Sequence, residues 1–388
     1  MMRGMKVLNV NVVLDPVFGG GTAERTYQMS KAQVRAGIDC TILTSDVGLS
    51  DERMQSLKGV EVVALRCLSE RFYLMRFSWV ELKKLVAGAD VVHLMGHWRM
   101  LNVLVYFLAR RTGTPYVICP AGELTLFGRS RWIKQLFNVV IGNRLVRNAS
   151  GHIAVTADEI PIYESYGIKA DAVTVIPNGI NEADLQFGGD AAFSRQIALE
   201  GQPFILFMGR LNPIKGPDLL LQAFFQVADQ FSAYHLVFAG PDGGLLQELQ
   251  QTTNAHGMSD RVHFVGYVAG DNKANAYHEA EFLVIPSRQE AMSIVVLEAG
   301  VCGTPVLLTD RCGFDEVDEI GGGSLVQATV SGLAAGLAVM MDKQTNLVQM
   351  GDRLKCFVRS NYTWDLICQR YLTLYDQIVR EKQKKSGA

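Results

Sequence analysis

Two carboxylates, Glu290 and Glu298, lie eight residues apart in SRQEAMSIVVLEAGVCGTPVLLT (Ser287–Thr309), just after the apolar run FLVIPS. If the helix starts at Glu290, eight steps turn the chain roughly 800°, about 80° from coincidence, so both residues share one broad face two turns apart. A helix N-terminus presents unpaired N–H groups and a positive dipole end, which suits a phosphate. Carboxylates at either end of such a site are placed to accept hydrogen bonds from sugar hydroxyls. The competing reading is a helix cap and a surface charge.

A second group is cationic. The buried run that begins at Phe204 ends in Gly209-Arg210, a loop carries Lys215-Gly216, and Pro217-Asp218 opens a helix. Pro and Asp both fit a first helical turn. Arg210 as a fork and Lys215 as a point charge suit a diphosphate. The alternative is a pair of solvated loop cations. A third group is FGGGTAER (Phe18–Arg25), a glycine-rich turn between a strand and a helix, where backbone can approach a phosphate or sugar closely. It matches neither G-x-G-x-x-G nor the P-loop pattern.

Other residues carry less. His93 and His97 are four apart, but His93 ends a strand and Met95-Gly96 intervenes, so helical zinc geometry fails. His97 and Trp98 are candidates to face an acceptor. The segment Phe127–Asn148 carries Arg129, Arg131, Lys134, Arg144 and Arg147 among Trp132, Ile133, Leu136 and Phe137. It reads as a basic amphipathic helix, either covering the core or touching anionic lipid or a lipid-diphosphate acceptor. Ser130 reads as its cap.

The elements that must position these residues alternate. Continuous apolar runs such as Lys6–Leu14, Val60–Leu65, Tyr116–Cys119, His235–Ala239 and Pro305–Leu308 read as strands buried on both faces of parallel sheets. Helical stretches separate them, among them Thr22–Gly37, Met100–Arg111, Pro217–Phe231 and Glu290–Cys302. This is the α/β, doubly wound pattern, with ligands expected beyond the carboxyl ends of the strands. The alternation lapses across Asn181–Pro203, which sets domains at 1–185 and 186–388. The last helix, about 364–379, belongs to the second domain or packs back on the first.

The chain has 388 residues, enough for two domains, and 48% hydrophobic residues, which excludes a disordered chain. Its 37 basic and 39 acidic side chains leave a net charge of −2, which disfavours a general nucleic-acid binder. Seven scattered cysteines without C-x-x-C fit a reducing cytosol. No window approaches ~18 uninterrupted apolar residues, and the N-terminus reads as a first strand rather than a signal peptide. The expectation is a cytoplasmic protein, with a peripheral place on the inner membrane face left open.

Together these segments and VIPNGI (Val175–Ile180) resemble the family-four retaining glycosyltransferases of the GT-B fold, two Rossmann-like domains facing an interdomain cleft. The family's E-x7-E motif matches Glu290 to Glu298, its G-R-x-x-x-x-K-G signature matches Gly209 to Gly216, and its N-terminal glycine loop matches Gly19–Gly21, including Gly20 and Gly21. VVHLMGHW (Val91–Trp98) looks like a common family strand-end.

The resemblance implies a nucleotide-sugar donor and catalysis by Arg210, Lys215 and Glu290. The two cations would hold the diphosphate, helped by backbone N–H groups from Ala291 through Met292, Ser293 and Ile294. Glu290 would bind the donor sugar and Glu298 the ribose. Gly266, Tyr267 and Val268 would lie near the base, and Gly209, Gly240 and Pro241 near the phosphates. It implies retention of anomeric configuration by front-face displacement, with no cofactor and no metal, consistent with the lack of D-x-D. The N-terminal domain would hold a glycan, lipid-linked or small-molecule acceptor. Its candidate contacts are His97, Glu123, Arg129 and Arg131. Ala121 stands where many relatives carry a histidine. Alternatives are a sugar-nucleotide epimerase or hydrolase of the same architecture and a non-catalytic nucleotide-sugar binder.

Overall fold

A computed structural model describes residues 4–70, 73–125, 131–189, 192–342 and 345–386. The chain divides into two compact units, one of residues 1–179 with 364–388 and one of 180–363. The sequence-based boundary at 185/186 therefore moves to the bond after Gly179, and the last helix joins the first unit. The physical reason is a set of contacts to residues distant in sequence. The Ile180 N–H donates to the Tyr362 carbonyl at 2.7 Å, and Leu185 is buried with its carbonyl 3.1 Å from His278 Nε2. Residues 180–185 are thus held by the second unit.

In the first unit, seven parallel strands are β1 (Lys6–Val10), β2 (Asp39–Ser45), β3 (Glu61–Leu65), β4 (Val91–Met95), β5 (Tyr116–Cys119), β6 (Gly151–Ala154) and β7 (Val173–Val175). Their order is β3-β2-β1-β4-β5-β6-β7. Its helices include α1 (Pro16–Arg35), α2 (Trp79–Gly88), α3 (Met100–Thr112), α4 (Arg131–Phe137), a π turn (Asn138–Gly142) and α5 (Asn143–Arg147). In the second unit β8 (Phe204–Met208), β9 (His235–Ala239), β10 (Val262–Gly266), β11 (Phe282–Ile285), β12 (Val306–Thr309) and β13 (Gly323–Val326) run in the order β10-β9-β8-β11-β12-β13. Its helices include α6 (Pro217–Val227), α7 (Gly270–Glu279), α8 (Ile294–Cys302) and α9 (Val330–Met341). α10 (Trp364–Ser386) belongs to the first unit. In each sheet the order reverses beside its first strand, β1 or β8, the topological switch point where α/β sheets place ligands.

Both faces of each sheet are covered, which explains strands that are apolar throughout rather than alternating. In the first unit Leu8, Val92 and Ile118 face a core shared with α2, α3 and α5. Val7, Val91 and Val117 face the other core, with Met29 and Ala32 of α1 and Trp364, Ile367, Tyr371, Tyr375 and Ile378 of α10. The three- and four-residue spacing in α10 makes that stripe. The fully buried guanidinium of Arg25 reinforces the assembly. It donates to the Ile176 carbonyl at 2.7 Å, to Asn178 Oδ1 and to the Tyr371 hydroxyl, tying α1, the VIPNGI segment and α10 together.

Candidate functional site

The switch point of the second sheet gathers the motif residues. β8 ends at Met208, Gly209 and Arg210 follow, and the loop carries Lys215 to Gly216, which precedes α6. Only glycine fits at 216. Its φ is 69°, and a Cβ there would meet the Pro286 carbonyl oxygen at 2.1 Å. A Cβ at Gly240 would meet the Gly209 carbonyl at 1.8 Å, so the β8 and β9 ends approach to backbone contact. Arg288 braces the same loops: its guanidinium reaches both Asp218 oxygens, at 2.8 and 2.6 Å, and the Pro213 carbonyl at 2.6 Å. Asn212 Oδ1 accepts from the Lys215 N–H at 3.0 Å.

This bracing brings Lys215 Nζ to 2.9 Å from Glu290 Oε1, while the Ser287 hydroxyl donates to the same oxygen. The Glu290 carboxylate is mostly buried and Lys215 about one-third exposed. The expected helix from Glu290 does not form. α8 begins at Ile294, and Glu290 sits in the preceding loop, where its N–H donates to the Arg311 carbonyl at 2.8 Å. The shared-helix-face reading of Glu290 and Glu298 is corrected accordingly. The eight-residue spacing places one carboxylate ahead of the helix and the other in its second turn.

The N-terminus of α8 has no side-chain cap. Ser293 is its N-cap, yet the side chain caps nothing, and the buried hydroxyl has no hydrogen-bond partner. The Ser293 N–H donates to the Cys312 carbonyl at 3.2 Å, so that backbone donor is already used. A helix end without a side-chain cap keeps donors and a positive dipole end of the kind that suits an anion.

Glu298 is buried and held from α7. Lys273 Nζ lies 2.6 Å from Oε1, and the Tyr277 hydroxyl donates to Oε2 at 2.6 Å. Burial, then the neighbouring Glu298 charge, holds the Tyr277 phenol well above its ordinary pKa, so it stays a donor. Lys273 and Tyr277 are four apart, so they share one face of α7. Sequence reasoning missed both, because an i,i+4 Lys/Tyr pair has no signature apart from the carboxylate it meets. Gly240-Pro241 and Gly266-Tyr267-Val268 lie at the carboxyl ends of β9 and β10, with Gly266 at φ 73° and Tyr267 half exposed.

In the first unit the expected glycine turn is largely helical. α1 begins at Pro16, capped by Asp15, whose Oδ1 accepts from the Val17 and Phe18 N–H groups. The helix breaks only at Gly20 (φ 57°, ψ −142°) and resumes at Gly21. The glycines therefore kink a helix at the switch point.

His97 follows β4 and is fully buried. Its Nε2 lies 2.9 Å from Asn138 Oδ1 in the π turn, and Asn138 Nδ2 donates to the Tyr166 hydroxyl at 2.7 Å. Burial holds its pKa below the ordinary histidine value, so the ring is neutral. Glu123 accepts from the His97 N–H at 2.8 Å and from Arg99 at 2.9 Å, which occupies one lone pair on each oxygen. Burial raises the Glu159 carboxyl, which accepts from the Val155 and Gly122 N–H groups and pins the loop carrying Ala121, itself at φ 50°. These contacts make His97 and Glu123 organisers of the β4 and β5 loops. Arg131 opens α4 and is exposed; Arg129 and Ser130 lie outside the described residues.

Comparison with known proteins fits this geometry. The family described as "Glycosyl transferases group 1" matches residues 190–355, and "Glycosyl transferase 4-like domain" matches residues 20–179. The chain belongs to the family-four glycosyltransferases. An uncharacterised glycosyltransferase of Methanocaldococcus jannaschii is 26% identical to this glycosyltransferase over 96% of this chain and 98% of its own. A D-inositol 3-phosphate glycosyltransferase of Nocardia farcinica is 28% identical over 61% of this chain and 55% of its own, so the chain spans about half of that relative. Among solved structures, Anabaena HepE in complex with UDP and glucose superposes with a TM-score of 0.78 at 18% identity, covering 96% of this chain and all of that one. WaaG, a glycosyltransferase of lipopolysaccharide biosynthesis, gives 0.67 at 16% identity, covering 95% of this chain and 98% of its own. The fold is GT-B.

Proposed function

We propose that this glycosyltransferase moves a hexose from a nucleoside-diphosphate sugar to an acceptor hydroxyl, with retention of configuration and without a metal ion. The observation that supports it is the Lys215–Glu290 contact beside the uncapped N-terminus of α8. That one spot combines a cation and an uncapped helix end for a diphosphate with a carboxylate for the hydroxyls of the sugar attached to it. Glu298, farther along α8 and held by Lys273 and Tyr277 of α7, suits the ribose.

In the step itself, the acceptor oxygen bonds to the anomeric carbon as the bond from that carbon to the β-phosphate oxygen breaks. The bonding pair stays on the leaving oxygen, and the acceptor proton passes to the diphosphate. Lys215, Arg210 and the α8 dipole stabilise the charge that grows there, which lowers the barrier because it is larger in the transition state. The positive charge comes from the chain, so no metal is required. The acceptor we assign to a glycan, a lipid-linked sugar or a small hydroxyl compound of polysaccharide or glycolipid synthesis, held by the first unit. UDP is the first nucleotide to try, because HepE carries it.

Thermal shift with UDP, GDP and ADP, followed by assay of the matching sugars with chelator present, tests the reading. Binding of one nucleoside diphosphate raises the melting temperature. Transfer that survives chelation, with the donor's anomeric configuration kept in the product by NMR, supports the reading. No stabilisation by any nucleotide, or transfer lost on chelation and restored by metal, refutes it.

A further inference from the structure

We propose that the outer face of α4 and the following π turn docks this protein on an anionic lipid bilayer. Residues 131–147 have two apolar sides. Phe137, Ile141, Leu145 and Val146 pack inward on the core of the first unit. Trp132, Ile133, Leu136, Val139 and Val140 form a second stripe, spaced by three, four, seven and eight residues, and are between 48% and 76% exposed. A helix apolar on both sides has a second apolar environment, since one side alone suffices to bury it on its own sheet.

Charge identifies that environment. Residues 131–147 contain Arg131, Lys134, Arg144 and Arg147 and no acidic residue. Arg147 Nε donates to the Tyr166 carbonyl and Lys134 lies 5.3 Å from the centre of the Trp98 ring, whereas Arg131 and Arg144 project outward. The neighbouring α3 continues the pattern. Asn148 Nδ2 donates to the Tyr106 hydroxyl at 2.9 Å, which places α3 alongside, and α3 adds exposed Phe107, Arg110 and Arg111, again without an acid. Another exposed apolar spot among the described residues, Trp79 and Val80, carries Glu81 in the same turn, so its charge is mixed. Exposed aromatic and aliphatic side chains beside exposed Arg131 and Arg144, on segments without an acidic residue, fit the boundary between acyl chains and anionic headgroups. No described helix is long and apolar enough to cross a membrane, so the contact is interfacial.

The test is sedimentation of the full chain with phosphatidylcholine vesicles and with vesicles in which about a third of the lipid is phosphatidylglycerol. The protein should pellet with the anionic vesicles and not the neutral ones, and high salt should release it. Trp132→Ser, Leu136→Ser and Val139→Ser together should lower partitioning at least tenfold with little change in melting temperature, because all three are exposed. Arg131→Gln and Arg144→Gln should each lower it about fivefold. Wild type left in the supernatant with anionic vesicles, or a triple variant that pellets as wild type, overturns the proposal. So does a lipid-free dimer that the triple variant makes monomeric, which would assign the face to a second copy of the chain.

Discussion

Lys215 is the residue on which the chemistry turns. It touches Glu290, and its motif neighbour Gly216 is fixed by the Pro286 carbonyl. Lys215→Ala should lower kcat by about 10²- to 10³-fold, the usual cost of losing one group aimed at developing charge. The melting temperature should fall less than the activity, because Lys215 is one-third exposed and the Ser287 hydroxyl still donates to the buried Glu290 carboxylate. Steady-state kinetics beside a thermal melt checks both. Gly216→Ala should behave differently. Its positive φ and the 2.1 Å approach force the loop to move, so activity and melting temperature should fall together. Glu298→Ala should weaken nucleoside-diphosphate binding in calorimetry. Lys273→Met should weaken it less, since Tyr277 still holds Glu298.

At the scale of elements, the informative piece is α10. It is last in sequence yet completes the core of the first unit, with Trp364, Tyr371 and Tyr375 buried against β1, β4 and β5. Trp364→Ala should cost about 3–5 kcal/mol in urea unfolding, as expected for a large buried aromatic. A chain cut after Thr363 should fail to fold its first unit, shown by loss of its cooperative transition. α8 makes the complementary point. Its N-cap Ser293 has an idle hydroxyl, so Ser293→Ala should leave stability nearly unchanged, unlike an ordinary cap, whose loss costs about 1 kcal/mol.

At the scale of the whole molecule, buried histidines set the response to acid. His93 is fully buried, its Nδ1 lies 2.7 Å from the Tyr375 hydroxyl, and burial followed by the nearby Arg25 charge lowers its pKa to about 3. The unfolded chain binds a proton there near pH 6.5 and the native chain does not until about pH 3. Stability should therefore fall as pH drops from about 6.5, with a slope approaching ~1.4 kcal/mol per pH unit from this group alone. Urea midpoints measured from pH 7 to 5 check this, and His93→Gln should flatten the slope.

The chain alone determined the strand–helix alternation, the two-sheet architecture and the motif residues, because apolar runs and glycine, proline and charge spacing are local properties. It did not locate the unit boundary, because residues 180–185 are claimed by a hydrogen bond to Tyr362 far away in sequence, and α10 by a core built from residues of the first half of the chain. Nor did it show that Glu290 lies ahead of α8, since a loop held by Arg311 and Lys215 overrides local helical spacing. The partners of Glu298 and Glu123, and the second apolar side of α4, were decided only by packing. Which oxygen meets which donor, and which face meets solvent, depends on residues that the sequence keeps apart and the tertiary structure brings within hydrogen-bond reach.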